Sequence, residues 1–130
     1  MDTREAARRW RSTWEDGWPR GDVDVVAALY APTCQYRALA FRQADEGAAC
    51  ARHYLHANFT AEEGLTCRFN EPIVGEGRAA VEWWASWTEE GRALTMAGVT
   101  LLSFDEDGFV LDQRDYWNDV DGRREPYPGW

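Results

Sequence analysis

Apolar residues recur at three- and four-residue steps from the start of the chain. Ala7, Trp10, Trp14 and Trp18 fall on one stripe, with Arg4, Arg8, Arg11 and Glu15 largely off it. That period predicts a helix with a buried stripe. Asp2 followed by Glu5 reads as a capping box at its start, and Pro19 and Gly21 stop it. Asp22 is suited to cap a second helix. Its apolar face is Val25, Val26, Leu29 and Tyr30, and Pro32 ends it. Cys34 to Phe41 reads as extended, with Tyr36 and Ala38 on one side and Arg37 and Leu39 on the other. Gly47 to Phe59 reads as a third helix carrying Cys50, Tyr54, Leu55 and Phe59.

After Gly64 the period falls to two, the mark of a strand with one buried face. Leu65 to Phe69 alternates, and Gly75-Glu76-Gly77 makes a turn. Ala79 to Thr88 reads as a strand, Glu89-Glu90-Gly91 as a turn, and Ala93 to Phe104 as a long strand. Asp105-Glu106-Asp107-Gly108 has the composition of a hairpin turn, and Phe109 to Asn118 is the last strand. Residues 119–130, rich in Asp, Arg, Pro and Gly, read as an irregular tail. Short turns force antiparallel neighbours. Helices first and a strand meander after them predict an α+β architecture, with the helices on one face of a curved sheet. With neither a repeat nor a linker, residues 1–130 are expected to form one domain.

Charge narrows the function classes. The net charge is −9, and every positive residue is Arg. With no basic cluster, nucleic acid and anionic membrane surfaces are poor partners. No apolar run spans a bilayer, and the N-terminus lacks a signal segment, so a cytoplasmic location is expected. Cys34, Cys50 and Cys67 are an odd number at uninformative spacing, and three reduced thiols are expected. Cys50, His53 and His56 fan over too wide an arc of a helix to share one metal ion. No phosphate loop, dinucleotide fingerprint or metal cluster is present, so no cofactor is expected.

Eight Trp, five Tyr and five Phe remain to be placed. Such rings fill a core, line a ligand cavity or plate a dimer interface. Composition does not choose among these.

The element order and several strings resemble the nuclear transport factor 2-like superfamily. Its SnoaL-like branch, which includes polyketide cyclases and limonene epoxide hydrolase, is the most similar. The strings run from Gly21-Asp22 to Leu29-Tyr30-Ala31, then Tyr36, Gly91-Arg92, Ala97-Gly98-Val99, and Phe104-Asp105 to Gly108. Gln113-Arg114-Asp115-Tyr116-Trp117-Asn118 closes the set. The resemblance implies a cystatin-like cone: three helices on the N-terminal side, packed on a curved, mainly antiparallel mixed sheet that encloses a pocket. It also implies a small hydrophobic ligand or substrate and a homodimer formed through the outer sheet face, with Val99, Leu101 and Tyr116 as its outward residues here. The fold alone does not specify the reaction.

Carried over residue by residue, the resemblance makes Asp115 the catalytic carboxylate of the last strand. Period two then turns Leu111, Gln113 and Trp117 inward with it, and Asp112, Arg114, Tyr116 and Asn118 outward. A carboxyl walled by Trp and Leu has a raised pKa and serves as a general acid or base. The competing reading pairs Asp115 with an Arg in a purely structural role. Tyr36 falls at a pocket tyrosine of the hydrolase, where a phenol orients water or donates to an oxyanion. The plain alternative is a core tyrosine. Trp14, Trp18, Trp83, Met96, Gln113 and Trp117 are the expected substrate-binding set, with ordinary core packing as the other explanation. The pattern also breaks. Trp83 and Ala85 stand where the hydrolase has an Arg–Asp pair, and Ala38 stands at its Asn. Glu82 reaches the inner face only if the register slips by one. Two functions follow: a cofactor-free acid–base enzyme (cyclase, isomerase, dehydratase or hydrolase) on a small apolar cyclic substrate, or a non-catalytic protein that binds a hydrophobic ligand or serves as an accessory dimer.

Overall fold

The computed structural model describes residues 1–130. Helix α1 spans Thr3–Arg20, with Asp2 as N-cap accepting from the Glu5 N–H and Gly21 as a left-handed C-cap. Its buried residues include Ala7, Trp10, Trp14 and Trp18, the stripe set by the 3.6-residue period. Helix α2 is short, Val23–Ala27, capped by the Asp22 side chain. Helix α3 is Cys50–Ala61. The strands are β1 (Tyr30–Arg37), β2 (Asp45–Glu46), β3 (Glu63–Phe69), β4 (Ile73–Val74), β5 (Arg78–Glu89), β6 (Arg92–Phe104) and β7 (Val110–Asp121).

The architecture is α+β, with three helices and a mixed, mostly antiparallel sheet. The sheet order is β2-β1-β7-β6-β5-β3, with β4 paired to β5. Only β1 and β7 run parallel. This order corrects the expected cone, because the sheet is an open path and not a curved wall closing on itself. Closure would require β3 to pair with the β1–β2 edge. Strand β2 is only two residues long, and β3 has β5 as its single strand partner. Helix α1 packs on β3 and β5, and α3 packs on β1 and β2, so helices bound the side that the sheet leaves open.

Several boundaries differ from the sequence expectation for identifiable reasons. Helix α2 stops before Leu29, and Tyr30 opens β1 instead of lying on a helical face. Pro32 lies inside β1, in the stretch between Tyr30 and Gln35 where the pairing with β7 shifts register. No ladder donor is required there, so the ring is tolerated. Strand β1 ends at Arg37, before Phe41. Helix α3 starts at Cys50 because Gly47, at φ +87°, turns the chain ahead of it. Strand β7 continues through Asp121, so the irregular tail begins three residues later than expected. That tail is nonetheless docked on the outer sheet face. Trp84 donates to the Arg124 carbonyl at 2.7 Å, and its ring meets Tyr127 and Trp130 edge-on.

The expected inward position of Leu111 is also corrected. Ser103 pairs with Asp112 while Phe104 pairs with Val110, so Leu111 is an extra residue in β7. A bulge of this kind resets the alternation. Val110 and Gln113 are buried, and Leu111 is exposed.

Cys34 and Cys50 are joined as a disulfide, with Cα atoms 6.3 Å apart, and Cys67 is free. This overturns the expectation of three thiols. Uninformative spacing did not reveal that β1 and the start of α3 would bring two cysteines together. The link closes a separation of 16 residues and ties α3 to the sheet. Loop-closure arguments give such a link about 3 kcal/mol. Reductant is expected to lower the melting temperature accordingly, and an unchanged midpoint would show that the bond adds nothing.

Candidate functional site

The strand register places the inward side chains in rows across the sheet. Ala85, Met96 and Asp119 form one row, Trp83, Gly98 and Trp117 the next, then Val81, Thr100 and Asp115, and then Ala79, Leu102 and Gln113. Gly98 is the narrow point, because a Cβ there would strike the Tyr116 carbonyl and Trp117. Between this face and helices α1 and α3 lies a cavity of about 320 Å³. That size suits a small organic molecule. All eight residues singled out from the sequence border it: Asp115, Tyr36, Trp14, Trp18, Trp83, Met96, Gln113 and Trp117.

Asp115 lies deep in the protein while remaining partly open to the cavity. Thr100 Oγ1 donates to its Oδ1 at 2.7 Å and Gln113 Nε2 to the same atom at 3.1 Å. Burial pushes its carboxyl up to about 6, against hydrogen bonds from Thr100, Gln113 and Tyr36 that pull it down. No Arg pairs with it, since its partners are hydroxyls and an amide. Tyr36 is fully buried, and its ring packs on Tyr30 and Tyr54. Burial first, then the neighbouring Asp115 charge, hold its phenol well above the ordinary value.

The donors to Asp115 are themselves held. Trp83 Nε1 donates to Thr100 Oγ1 at 2.9 Å, so the Trp83 N–H is committed to the wall and is not free for a ligand. Gln113 Oε1 accepts from Trp10 Nε1 at 3.1 Å and from the Tyr30 hydroxyl at 2.5 Å. Trp14 Nε1 donates in turn to that hydroxyl at 3.1 Å. With its oxygen occupied, Gln113 must present its NH₂ to Asp115. Gln113 is 1% exposed and acts by positioning the carboxylate. Trp117 Nε1 donates to the Ala38 carbonyl at 2.8 Å, which ties β7 to the end of β1.

A second carboxyl borders the cavity. Glu62, the C-cap of α3, accepts from Trp18 Nε1 at 2.9 Å. Burial pushes it up to about 7; the Trp18 hydrogen bond opposes this and the Glu89 charge adds to it. Sequence reasoning missed Glu62 because Thr60-Ala61-Glu62-Glu63 reads as a solvated run. One signal was available: an acid at a helix C-terminus opposes the helix dipole, and local conflicts of this kind cluster at functional sites. Glu82, in contrast, is exposed on the outer face, so β5 keeps the unslipped register. His53 and His56 lie exposed on α3. No group of three His, Cys, Asp or Glu converges as metal ligands.

The SnoaL-like domain pattern matches residues 7–112, most of the chain. The chain belongs to the SnoaL-like family. Its structure is similar to that of the epoxide hydrolase/cyclase-like enzyme SalBIII, described in pyran ring formation in the polyether salinomycin. That match has 21% identity, a TM-score of 0.71 and 88% coverage of both chains. It is also similar to RV0760c from Mycobacterium tuberculosis, with 16% identity, a TM-score of 0.77, and 94% of this chain and 100% of that one covered. An NTF2-like protein of unknown function from Exiguobacterium sp. 255-15 matches at 14% identity and a TM-score of 0.72, with 87% and 98% covered. No curated protein matches the sequence. Within this SnoaL-like chain, Trp83, Ala85 and Ala38 are all buried on the cavity side. The positions at which the hydrolase resemblance calls for Arg, Asp and Asn are therefore apolar. No helix is long and apolar enough to cross a membrane.

Proposed function

We propose that this SnoaL-like protein is an acid–base enzyme acting on a small, mainly apolar, ring-containing substrate with its own side chains alone. The supporting observation is the carboxyl of Asp115, set among aromatic rings in the cavity with its hydrogen bonds from Thr100 and Gln113 both on Oδ1. Oδ2 carries neither of these two and, in this reading, is the atom that accepts the substrate proton. A carboxyl that titrates near 6 is mainly ionised at neutral pH and accepts that proton. Tyr36 beside it keeps its own proton and donates to a developing oxyanion. Cyclisation, isomerisation, dehydration and epoxide opening all use such a pair, and the likeness to an epoxide hydrolase/cyclase-like enzyme favours ring chemistry.

The test is turnover of a panel of cyclic epoxides and enolisable cyclic ketones. Asp115→Asn is expected to lower the rate by roughly 10²–10⁴, and the wild-type rate to fall below about pH 6 as the base is protonated. An undiminished rate in the variant would end the assignment. A second reading, a binder without catalysis, is favoured by apolar Trp83, Ala85 and Ala38; it requires ligand binding with no turnover in the wild type. The homodimer is proposed from outward Val99 and Leu101 and from Tyr116, which is 46% exposed. Sedimentation of only a 14.9 kDa species at micromolar concentration would remove it.

A further inference from the structure

The cavity carries unbalanced charge. Glu62, Glu89, Asp115 and Asp119 border it, against one guanidinium, that of Arg42. Elsewhere nine ion pairs with Arg neutralise seven acids, yet none of these four carboxylates is in an ion pair. Asp115 and Glu62 are desolvated, and desolvated carboxylates without a counter-charge are costly; Glu89 is half-buried and Asp119 stands at the exposed rim. The surrounding walls are indole, phenol and phenyl rings, whose faces attract cations.

A second observation is independent of the acids. Five indoles on the cavity wall each donate to a protein acceptor: Trp10, Trp14, Trp18, Trp83 and Trp117. Trp87 borders the same cavity, is 7% exposed, and its Nε1–H has no acceptor. A buried donor without a partner calls for an oxygen that the chain does not supply.

We infer that the cavity takes an organic ammonium ion: a ring-bearing apolar body, a cationic nitrogen held between aromatic faces and the carboxylates, and an ether or carbonyl oxygen for Trp87. This rests on the proposal that the cavity is a ligand site, and it names the class of ligand. The cation supplies the charge that the wall lacks. Its presence favours the ionised carboxylates, so binding strengthens as Asp115 and Glu62 lose their protons. Tyr30 and Tyr36 from β1 and Tyr54 from α3 face Asp115. Glu89 from β5 and Cys67 from β3 face Glu62, with Glu15 beside Cys67, and Asp45 and Arg42 beside Tyr54. Burial holds the three phenols above their ordinary value and pushes the Cys67 thiol up to about 12, so they stay neutral across the window tested.

The probe is trimethyl(2-phenoxyethyl)ammonium, whose charge does not titrate, against its neutral carbon isostere, 3,3-dimethylbutyl phenyl ether. Binding is read by indole fluorescence and calorimetry. At about pH 8 the ammonium is expected to bind about tenfold more tightly or better, and to lose about tenfold by pH 5, while the isostere holds steady. Glu62→Gln, and Asp119→Asn at the exposed rim, are each expected to reduce the preference for the cation. Trp87→Phe is expected to weaken both ethers alike. If the isostere binds as well as the ammonium, the charge inference fails and the ligand cavity stands. If neither binds at millimolar concentration, both fail.

Discussion

Asparagine at position 115 is expected to give a protein that withstands more heat at about pH 8 than the wild type, while losing turnover. The sign follows from the environment of the carboxyl. In the unfolded chain Asp115 titrates near its ordinary value of 3.8, and in the folded protein near 6. The fold therefore favours the protonated form. The stabilisation from this group is complete below about pH 4 and is lost as pH rises through 6. Above that, the ionised carboxylate costs up to about 3 kcal/mol, two pKa steps at about 1.4 each; water in the cavity reduces the figure. Glu62 acts in the same direction between 4.5 and about 7. Asparagine carries no charge and keeps an oxygen for Thr100 and Gln113. Thermal melts across pH should show the variant and the wild type converging near pH 4 and separating by several degrees above pH 7. A variant that melts below the wild type at pH 8 would mean that Asp115 is held by a favourable interaction the structure does not contain. The fold thus gives up stability to keep this carboxyl in the cavity.

The largest loss of stability is expected from Trp10→Ala. Trp10 is 1% exposed, its ring lies 5.7 Å from both Trp14 and Phe69, and its N–H donates to Gln113. Large-to-small replacement of such a ring costs about 3–5 kcal/mol, and the lost donor adds about 1 kcal/mol. Domains of this size have only about 5–15 kcal/mol in total, so a population unfolded at room temperature is expected. Trp10→Phe keeps most of the packing and should lose about 1–2 kcal/mol. It isolates the hydrogen bond that helps aim Gln113. Urea midpoints for the two variants check this; a loss below about 1 kcal/mol for Trp10→Ala would place the ring outside the core that its burial indicates.

What the sequence made legible follows a physical divide. Where one period ran long enough, the element was readable: the Trp10-Trp14-Trp18 stripe of α1, and the alternation of β5 and β6 with Val81, Trp83, Ala85 and Trp87 inside. The family resemblance added the direction of Asp115, which no local pattern contains. What was not legible depended on tertiary pairing. Tyr30 and Pro32 looked like a helix end because their strand partner, β7, lies 80 residues on. Leu111 looked inward because a bulge leaves no trace in a two-residue period. Cys34 and Cys50 gave no hint of their meeting, and the meander gave the antiparallel run of β3, β5, β6 and β7 but not the parallel place of β1 beside β7. Glu62 was hidden in a polar run, and its partner Trp18 comes from another helix.

The chain of indoles has a consequence for how this molecule will look in solution. Trp10, Trp14, Trp18 and Trp83 follow one another at centroid spacings of 5.5 to 5.8 Å. Chromophores this close share their excitations. The far-ultraviolet dichroism will carry a bisignate exciton signal on top of the peptide bands, and helix content read from that region will be distorted. The same coupling makes the protein its own optical reporter, since any guest wedged among the rings must change the signal without a label.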